Sequence, residues 1–207
     1  MASSVTVGSV EIEWLGHAAF MLKAGGRVIY IDPFRISGGE KADLILITHD
    51  HYDHCDQGSI SSLKKPDTVI VGPESCSSKV AGIRQISAGQ KLSFGDVDVR
   101  AVQAYNTNKS FHPRGSGIGF VVRIAGKTIY HAGDTDRIPE MDNLGKIDVA
   151  LLPAGGTYTM NAEEAAQAAN TIKPAMAIPM HWGKIVGSKS DAERFKELCK
   201  VEVRVLD

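Results

Sequence analysis

Leu44-Ile45-Leu46-Ile47-Thr48-His49-Asp50-His51-Tyr52-Asp53-His54 carries the information that decides this fold. Residues 44–48 form a continuous apolar run, as expected of a strand covered on both faces. They lead straight into six residues, of which five (His49, Asp50, His51, Asp53 and His54) offer nitrogen or oxygen ligand atoms. Extended backbone puts side chains two apart on one side, so His49 and His51 can hold one cation together. Asp53 and His54 come as the chain turns toward a helix, and their side chains can face a second cation. Imidazole and carboxylate suit zinc, iron or manganese, and the lack of a cysteine pair argues against a structural zinc knuckle. A plain charged loop would crowd these polar groups together without partners.

Two later segments repeat the placement. A strand over residues 128–131 runs into Ala132-Gly133-Asp134-Thr135-Asp136, and one over 177–180 runs into His181-Trp182-Gly183. In layered α/β folds, ligands gather where strands deliver their C-terminal ends to one edge. Asp134 can bridge two cations there, and His181 can complete the second. Cys55 adjoins the cluster, but the histidines and aspartates already make up a ligand set.

Outward from these motifs, β-rich runs lie at 10–15, 18–23 and 27–31, then 68–71, 91–94 and 97–104. Others lie at 119–124, 127–131, 147–152, 175–180 and 201–205. Helices are expected near 59–65, over 163–172 behind an Asn161/Glu164 capping pair, and over 192–200 behind Ser190 and Glu193. Strands outnumber helices, yet helices separate the longest buried strands, which packs naturally as two sheets with helices outside. Hairpins followed by a strand-helix unit occur in both halves and hint at an internal duplication.

The 207 residues suit a single domain over 1–207, and 43% hydrophobic content supplies a sizeable core. With 23 basic and 24 acidic residues, the charge does not mark a nucleic-acid binder or a membrane-surface protein. A small-molecule substrate is expected. No apolar run approaches the length of a membrane span, and Met1-Ala2-Ser3-Ser4-Val5-Thr6 lacks the features of a signal peptide. Cys55, Cys76 and Cys199 are few, odd in number and widely spaced, which reads as reduced thiols in a cytoplasmic protein. Oligomeric state is left open.

Thr48-His49-x-His51-x-Asp53-His54, Ala132-Gly133-Asp134-Thr135 and Pro179-Met180-His181, in this order, resemble the metallo-β-lactamase superfamily. Trp14-Leu15-Gly16-His17 and Ile31-Asp32-Pro33-Phe34 match as well, and the likeness points to its small, lidless, ascorbate-6-phosphate lactonase-like branch. The resemblance implies a four-layer αββα sandwich with a dinuclear site at one edge of the sheets. It implies that His49 and His51 bind the first metal, that Asp53, His54 and His181 bind the second, and that Asp134 bridges. Asp32 would lie beneath the site and orient a ligand histidine. One or two divalent ions are implied, zinc first, with manganese or iron as alternatives.

One departure stands out. The family supplies a further histidine to the first metal from a mid-chain strand end, where this chain has Tyr105-Asn106. Either His112 reaches back to fill the place, or the first metal is weakly held and the site mononuclear. A six-residue loop can span roughly 20 Å, so the return is sterically possible. His17 is read as bonding to backbone rather than facing a substrate, and His131 as a core residue or one that supports a ligand from behind.

A divalent cation lowers the pKa of bound water from about 15.7 toward about 7, and Asp53 can hold that water and accept its proton. Hydrolysis of an ester-like bond follows, with a small phosphorylated lactone or a phosphodiester leading. Gly-x-Ser-x-Gly is absent. A large RNA substrate would call for added basic surface, and a flavo-diiron oxygen reductase would carry glutamate at the position of His51. The rival from another class is a non-catalytic metal-binding protein on the same scaffold. Specificity falls to loops at 106–117 and 183–189, which carry no readable code.

Overall fold

A computed structural model describes residues 3–207; Met1 and Ala2, from the opening segment read above, lie outside the described residues. Strands β1 (Ser4–Val7), β2 (Val10–Gly16), β3 (Ala19–Ala24) and β4 (Arg27–Ile31) form an antiparallel meander. The sheet continues in parallel through β5 (Leu44–Leu46), β6 (Val69–Gly72) and β7 (Arg84–Gln85). The second half repeats this plan. Strands β8 (Lys91–Phe94), β9 (Val97–Ala104), β10 (Gly117–Ile124) and β11 (Lys127–His131) pair antiparallel. Then β12 (Val149–Pro153), β13 (Met176–Met180) and β14 (Glu202–Val203) add in parallel. The result is two seven-stranded sheets of matching strand order, so the duplication hinted at by the sequence is present in the topology.

Helices cover the outer faces: α1 (Gln57–Leu63) on the first sheet, α2 (Ala162–Ile172) and α3 (Lys189–Leu198) on the second. Strand β5 shows why its sequence is apolar throughout. Leu44 and Leu46 join the cluster packed between the sheets, while Ile45 and Ile47 join Ile60 and Leu63 of α1 in a separate one. The architecture is the αββα sandwich. No helix among the described residues is long and apolar enough to cross a membrane.

Several boundaries differ from expectation, each for a local reason. Strand β5 ends at Leu46 rather than at 48, because Thr48 leaves its own sheet. The Thr48 carbonyl accepts from Ile118 N of the other sheet, and its N–H donates to the Asp32 carboxylate. Helix α1 begins two residues early because the Asp56 carboxylate accepts from Gly58 N, capping the first turn. Helix α3 is capped by Ser188 and Asp191, not by Ser190 and Glu193: Ser188 N–H donates to Asp191 Oδ2 at 2.7 Å. Asn161 and Glu164 do form the expected reciprocal capping pair on α2. The short edge strands β1 and β7 had no clear sequence signal.

Candidate metal centre

The C-terminal ends of β5, β11 and β13 reach the same rim, and the loops after them bring the ligand-type residues together. His49, His51 and His112 place one ring nitrogen each within 4.8 Å of one another. His17, Asp53, His54 and His181 form a second such group, and His49, His54 and Asp134 a third that links the two. Asp134 touches both sides: Oδ2 lies 3.0 Å from His181 Nε2 and 3.3 Å from His112 Nε2, and Oδ1 lies 3.4 Å from His54 Nε2. Every residue proposed from the sequence as a ligand is therefore in one place. The cluster is buried except for His51, which is exposed.

The hydrogen bonds fix which nitrogen each histidine presents. Asp32 is fully buried and accepts from Thr48 N (2.8 Å), Thr48 Oγ1 (2.6 Å) and His54 Nδ1 (2.7 Å). Since the Thr48 hydroxyl donates to Asp32, it accepts from His49 Nδ1 at 3.0 Å. His112 Nδ1 donates to the Asn106 side-chain oxygen at 3.1 Å. These three rings carry their proton on Nδ1, which leaves the Nε2 lone pairs aimed inward. Those Nε2 atoms, with His181 Nε2 and Asp134 Oδ1, are buried and make no well-aimed hydrogen bond; their polar neighbours are one another, at 3.0–4.0 Å. Five such atoms converging would be a large cost in a plain core, and a divalent cation would satisfy them together. The residues present fit one or two metal ions.

Charge within the cluster supports this. Burial alone would lower the pKa of His54, but Asp134 and Asp32 raise it well above 6.5. Burial and the neighbouring His54 push His49 well below 6.5. Burial works to raise the carboxyl pKa of Asp134, yet His181 and His54 hold it well below 3.8. The Asp134 and Asp32 carboxylates thus draw positive charge to the His54 position between them, while burial and His54 keep His49 neutral. Asp53 behaves similarly: burial pushes its carboxyl up, and the hydrogen bond from His17 with the charge of His54 brings it down to about 2.

His17 corrects the sequence reading. Its backbone carbonyl does accept, from Trp14 Nε1 and from His181 N, but its side chain faces the cluster, with Nε2 3.0 Å from Asp53 Oδ2. Its ring centroid is 4.0 Å from that of His181. The signal was Gly16, whose turn swings the next residue off the strand. His17, Asp32 and His181 all have left-handed backbone, with φ of 54, 45 and 59°. For residues with a Cβ this is strained, and strain of that kind is held where a site requires it. His131 is core: Gly133 N donates to its Nδ1, and its Nε2 donates to the Ala18 carbonyl. Cys55 turns away into the apolar cluster under α1, and all three cysteines are free.

Asn106 does not face the centre as a ligand. Its amide nitrogen donates to Asp136 and to the Tyr158 carbonyl, while its oxygen accepts from His112. Above the centre opens a cavity of about 480 Å³, whose lining includes Asp53, His112, Asp134 and His181, and whose walls include Tyr52, Phe111, Tyr158 and Ile185. The loops at 106–117 and 183–189 do reach it, through Phe111, His112 and Ile185.

Residues 11–181 match the beta-lactamase superfamily domain. A UPF0173 metal-dependent hydrolase of Methanoregula boonei is 38% identical over 90% of this chain and 88% of its own length. A solved structure from Parabacteroides distasonis, described as a candidate metal-dependent hydrolase, superposes with TM-score 0.90 at 32% identity, covering 100% of this chain and 98% of that one. The metallo hydrolase Igni18 of Ignicoccus hospitalis superposes with TM-score 0.78 at 25% identity, covering 96% of this chain and 95% of that one.

Proposed function

The chain belongs to the beta-lactamase superfamily, and from that premise we propose that it is a single-domain, cytoplasmic hydrolase that turns water against an ester-like bond in a small molecule. The observation that carries this reading is the set of buried Nε2 atoms of His49, His54, His112 and His181, with Asp134 Oδ1, none in a well-aimed hydrogen bond, beneath an open cavity that His112, Asp134 and His181 line.

His49, His51 and His112 would hold one cation, Asp53, His54 and His181 the other, and Asp134 both. Zinc suits these donors first, with manganese or iron as alternatives. The cations would supply a water acidic enough to deprotonate near neutral pH and a positive centre for the scissile oxygen. Asp53 is ionised across the neutral range, so it accepts a hydrogen bond from the attacking water and orients it. His17, bonded to the same carboxylate, keeps it aimed. As the water oxygen bonds to the carbonyl carbon, its proton passes to Asp53. The same carboxyl then returns the proton to the leaving alkoxide as the carbon–oxygen bond breaks.

The narrower reading sets the chain beside the ascorbate-6-phosphate lactonase-like members, with a phosphorylated lactone or a phosphodiester as substrate. A phosphate at this cavity would meet one lysine, Lys79, which is already paired with Asp50. A non-catalytic metal-binding protein is the second reading, and Asp53 beside an open cavity weighs against it. The test is hydrolysis of simple lactones and of a generic phosphodiester by metal-loaded protein. Turnover that disappears on chelation and in Asp53→Ala, which should still retain at least one metal through His49 and His51, supports the proposal. Equal turnover in Asp53→Ala removes that residue from the mechanism, and absence of any turnover favours the non-catalytic reading.

A further inference from the structure

The cavity above the cluster is walled by rings. Tyr52 is 65% exposed and Phe111 48%, the large apolar side chains left open to solvent among the described residues, and both line this cavity. Scattered exposed apolar residues need no explanation, but two gathered at the mouth of one cavity do. They are not loose. The Phe111 ring packs edge-on against Tyr158 at 4.8 Å, and Tyr52 packs edge-on against Phe34 at 6.0 Å. Chain position ties both to the chemistry, since Tyr52 lies between His51 and Asp53 and Phe111 immediately precedes His112. Ile185 completes the apolar lining from the loop after β13.

The charged lining is different in kind. Asp50, Asp53 and Asp134 contribute carboxylates, and Lys79 is the one lysine in the lining, apart from the cations the cluster would hold. Its ammonium donates to the Asp50 backbone carbonyl and lies 3.7 Å from the Asp50 carboxylate. Recognition of a phosphoryl group ordinarily draws on arginine forks, free lysines or a helix N-terminus. No arginine lines this cavity. Its volume of about 480 Å³ falls within the range of small-molecule sites.

We propose that the substrate is an uncharged lactone or ester bearing an apolar, ring-sized substituent, which lodges against Tyr52, Phe111, Tyr158 and Ile185 while its carbonyl reaches the cluster. This rests on the hydrolytic reading and narrows it. Burying such a substituent removes apolar surface from water on both sides, and an apolar pocket discriminates by roughly tenfold or more for groups of this size.

The test compares γ-butyrolactone, its γ-phenyl derivative and a phosphorylated lactone as substrates of the metal-loaded full chain. Calorimetry on the unreactive lactams, with and without the phenyl group, runs alongside. The expected result is kcat/KM at least about tenfold higher for the phenyl lactone than for either other substrate. Phe111→Ala and Tyr52→Ala should each narrow that ratio. If neither a lactone nor a generic phosphodiester is turned over, the hydrolytic reading fails, and the lactams still decide the apolar wall: the phenyl lactam should bind at least about tenfold tighter than the bare one, less so in Phe111→Ala. Equal lactam affinities, or preference for the phosphorylated lactone with loss of that preference in Lys79→Ala, would overturn the proposal.

Discussion

The side-chain oxygen of Asn106 accepts from both the backbone N–H and Nδ1 of His112, at 2.9 and 3.1 Å. The asparagine that stands where a ligand histidine was expected thus holds another histidine by its far side, leaving His112 Nε2 3.3 Å from Asp134 Oδ2. His112→Ala is expected to lose about one metal equivalent per chain. Asn106→Ala should keep the ligand but loosen its aim, weakening that metal roughly 10- to 100-fold. Metal counted after dialysis, with titration calorimetry, checks both. Unchanged stoichiometry and affinity in both variants would exclude this arrangement.

Asp32 gathers three hydrogen bonds in a fully buried position. Asp32→Ala would strand the Thr48 N–H and His54 Nδ1, each orphaned donor costing about 1–3 kcal/mol. Together that is about 2–6 kcal/mol, which for a chain of this size corresponds to a fall in melting temperature of roughly 4–24 °C. His54 would also lose its orientation, so metal affinity should fall with stability. A melting point within a degree or two of the native protein would contradict the role given to Asp32.

Gly155 follows β12, and a Cβ built on it would lie 2.1 Å from the His181 carbonyl oxygen. That oxygen is backbone and cannot swing aside. Gly155→Ala should therefore cost about 1–3 kcal/mol or more and displace His181 from Asp134. Thermal melts and metal titration check it. Full stability with native affinity would show that the loop has slack.

Much of the centre was legible because its ligands sit close in sequence or at strand ends. His49, His51, Asp53 and His54 lie within one short segment after β5, and Asp134 and His181 follow β11 and β13. His17 was harder, since its direction depends on a left-handed turn rather than on strand alternation. The end of β5 was hidden for a related reason: Thr48 is apolar enough to continue a strand, but a carboxylate sixteen residues away and a carbonyl contact to the other sheet redirect it. Strands β1 and β7 are short edge pieces whose pairing comes from tertiary contact rather than local pattern. The role of Asn106 was unreadable, because a hydrogen bond that aims a side chain leaves no periodic trace.

Asp136 ties the Asn106 loop down, accepting from Asn106 Nδ2 at 3.1 Å and from Lys109 Nζ at 2.6 Å. Burial raises its carboxyl pKa, but Lys109 and the Thr107 N–H bring it below 3.8. A carboxyl depressed on folding contributes stability above its unfolded pKa and loses it as pH falls through the folded value. Asp136→Asn should thus narrow the stability gap to the native protein as pH drops below about 4. Denaturant midpoints at acidic and neutral pH check this. A gap of constant size would contradict it.

The measurement that bears most directly on the whole account is the metal content of the native chain. Five buried ligand atoms, none in a well-aimed hydrogen bond, meet at one place, and the account requires cations there. Elemental analysis of the purified, desalted protein should find one to two zinc, manganese or iron ions per chain. If it finds none, and added zinc, manganese or iron is not taken up, the cluster is not a metal centre and the hydrolytic mechanism built on it is wrong.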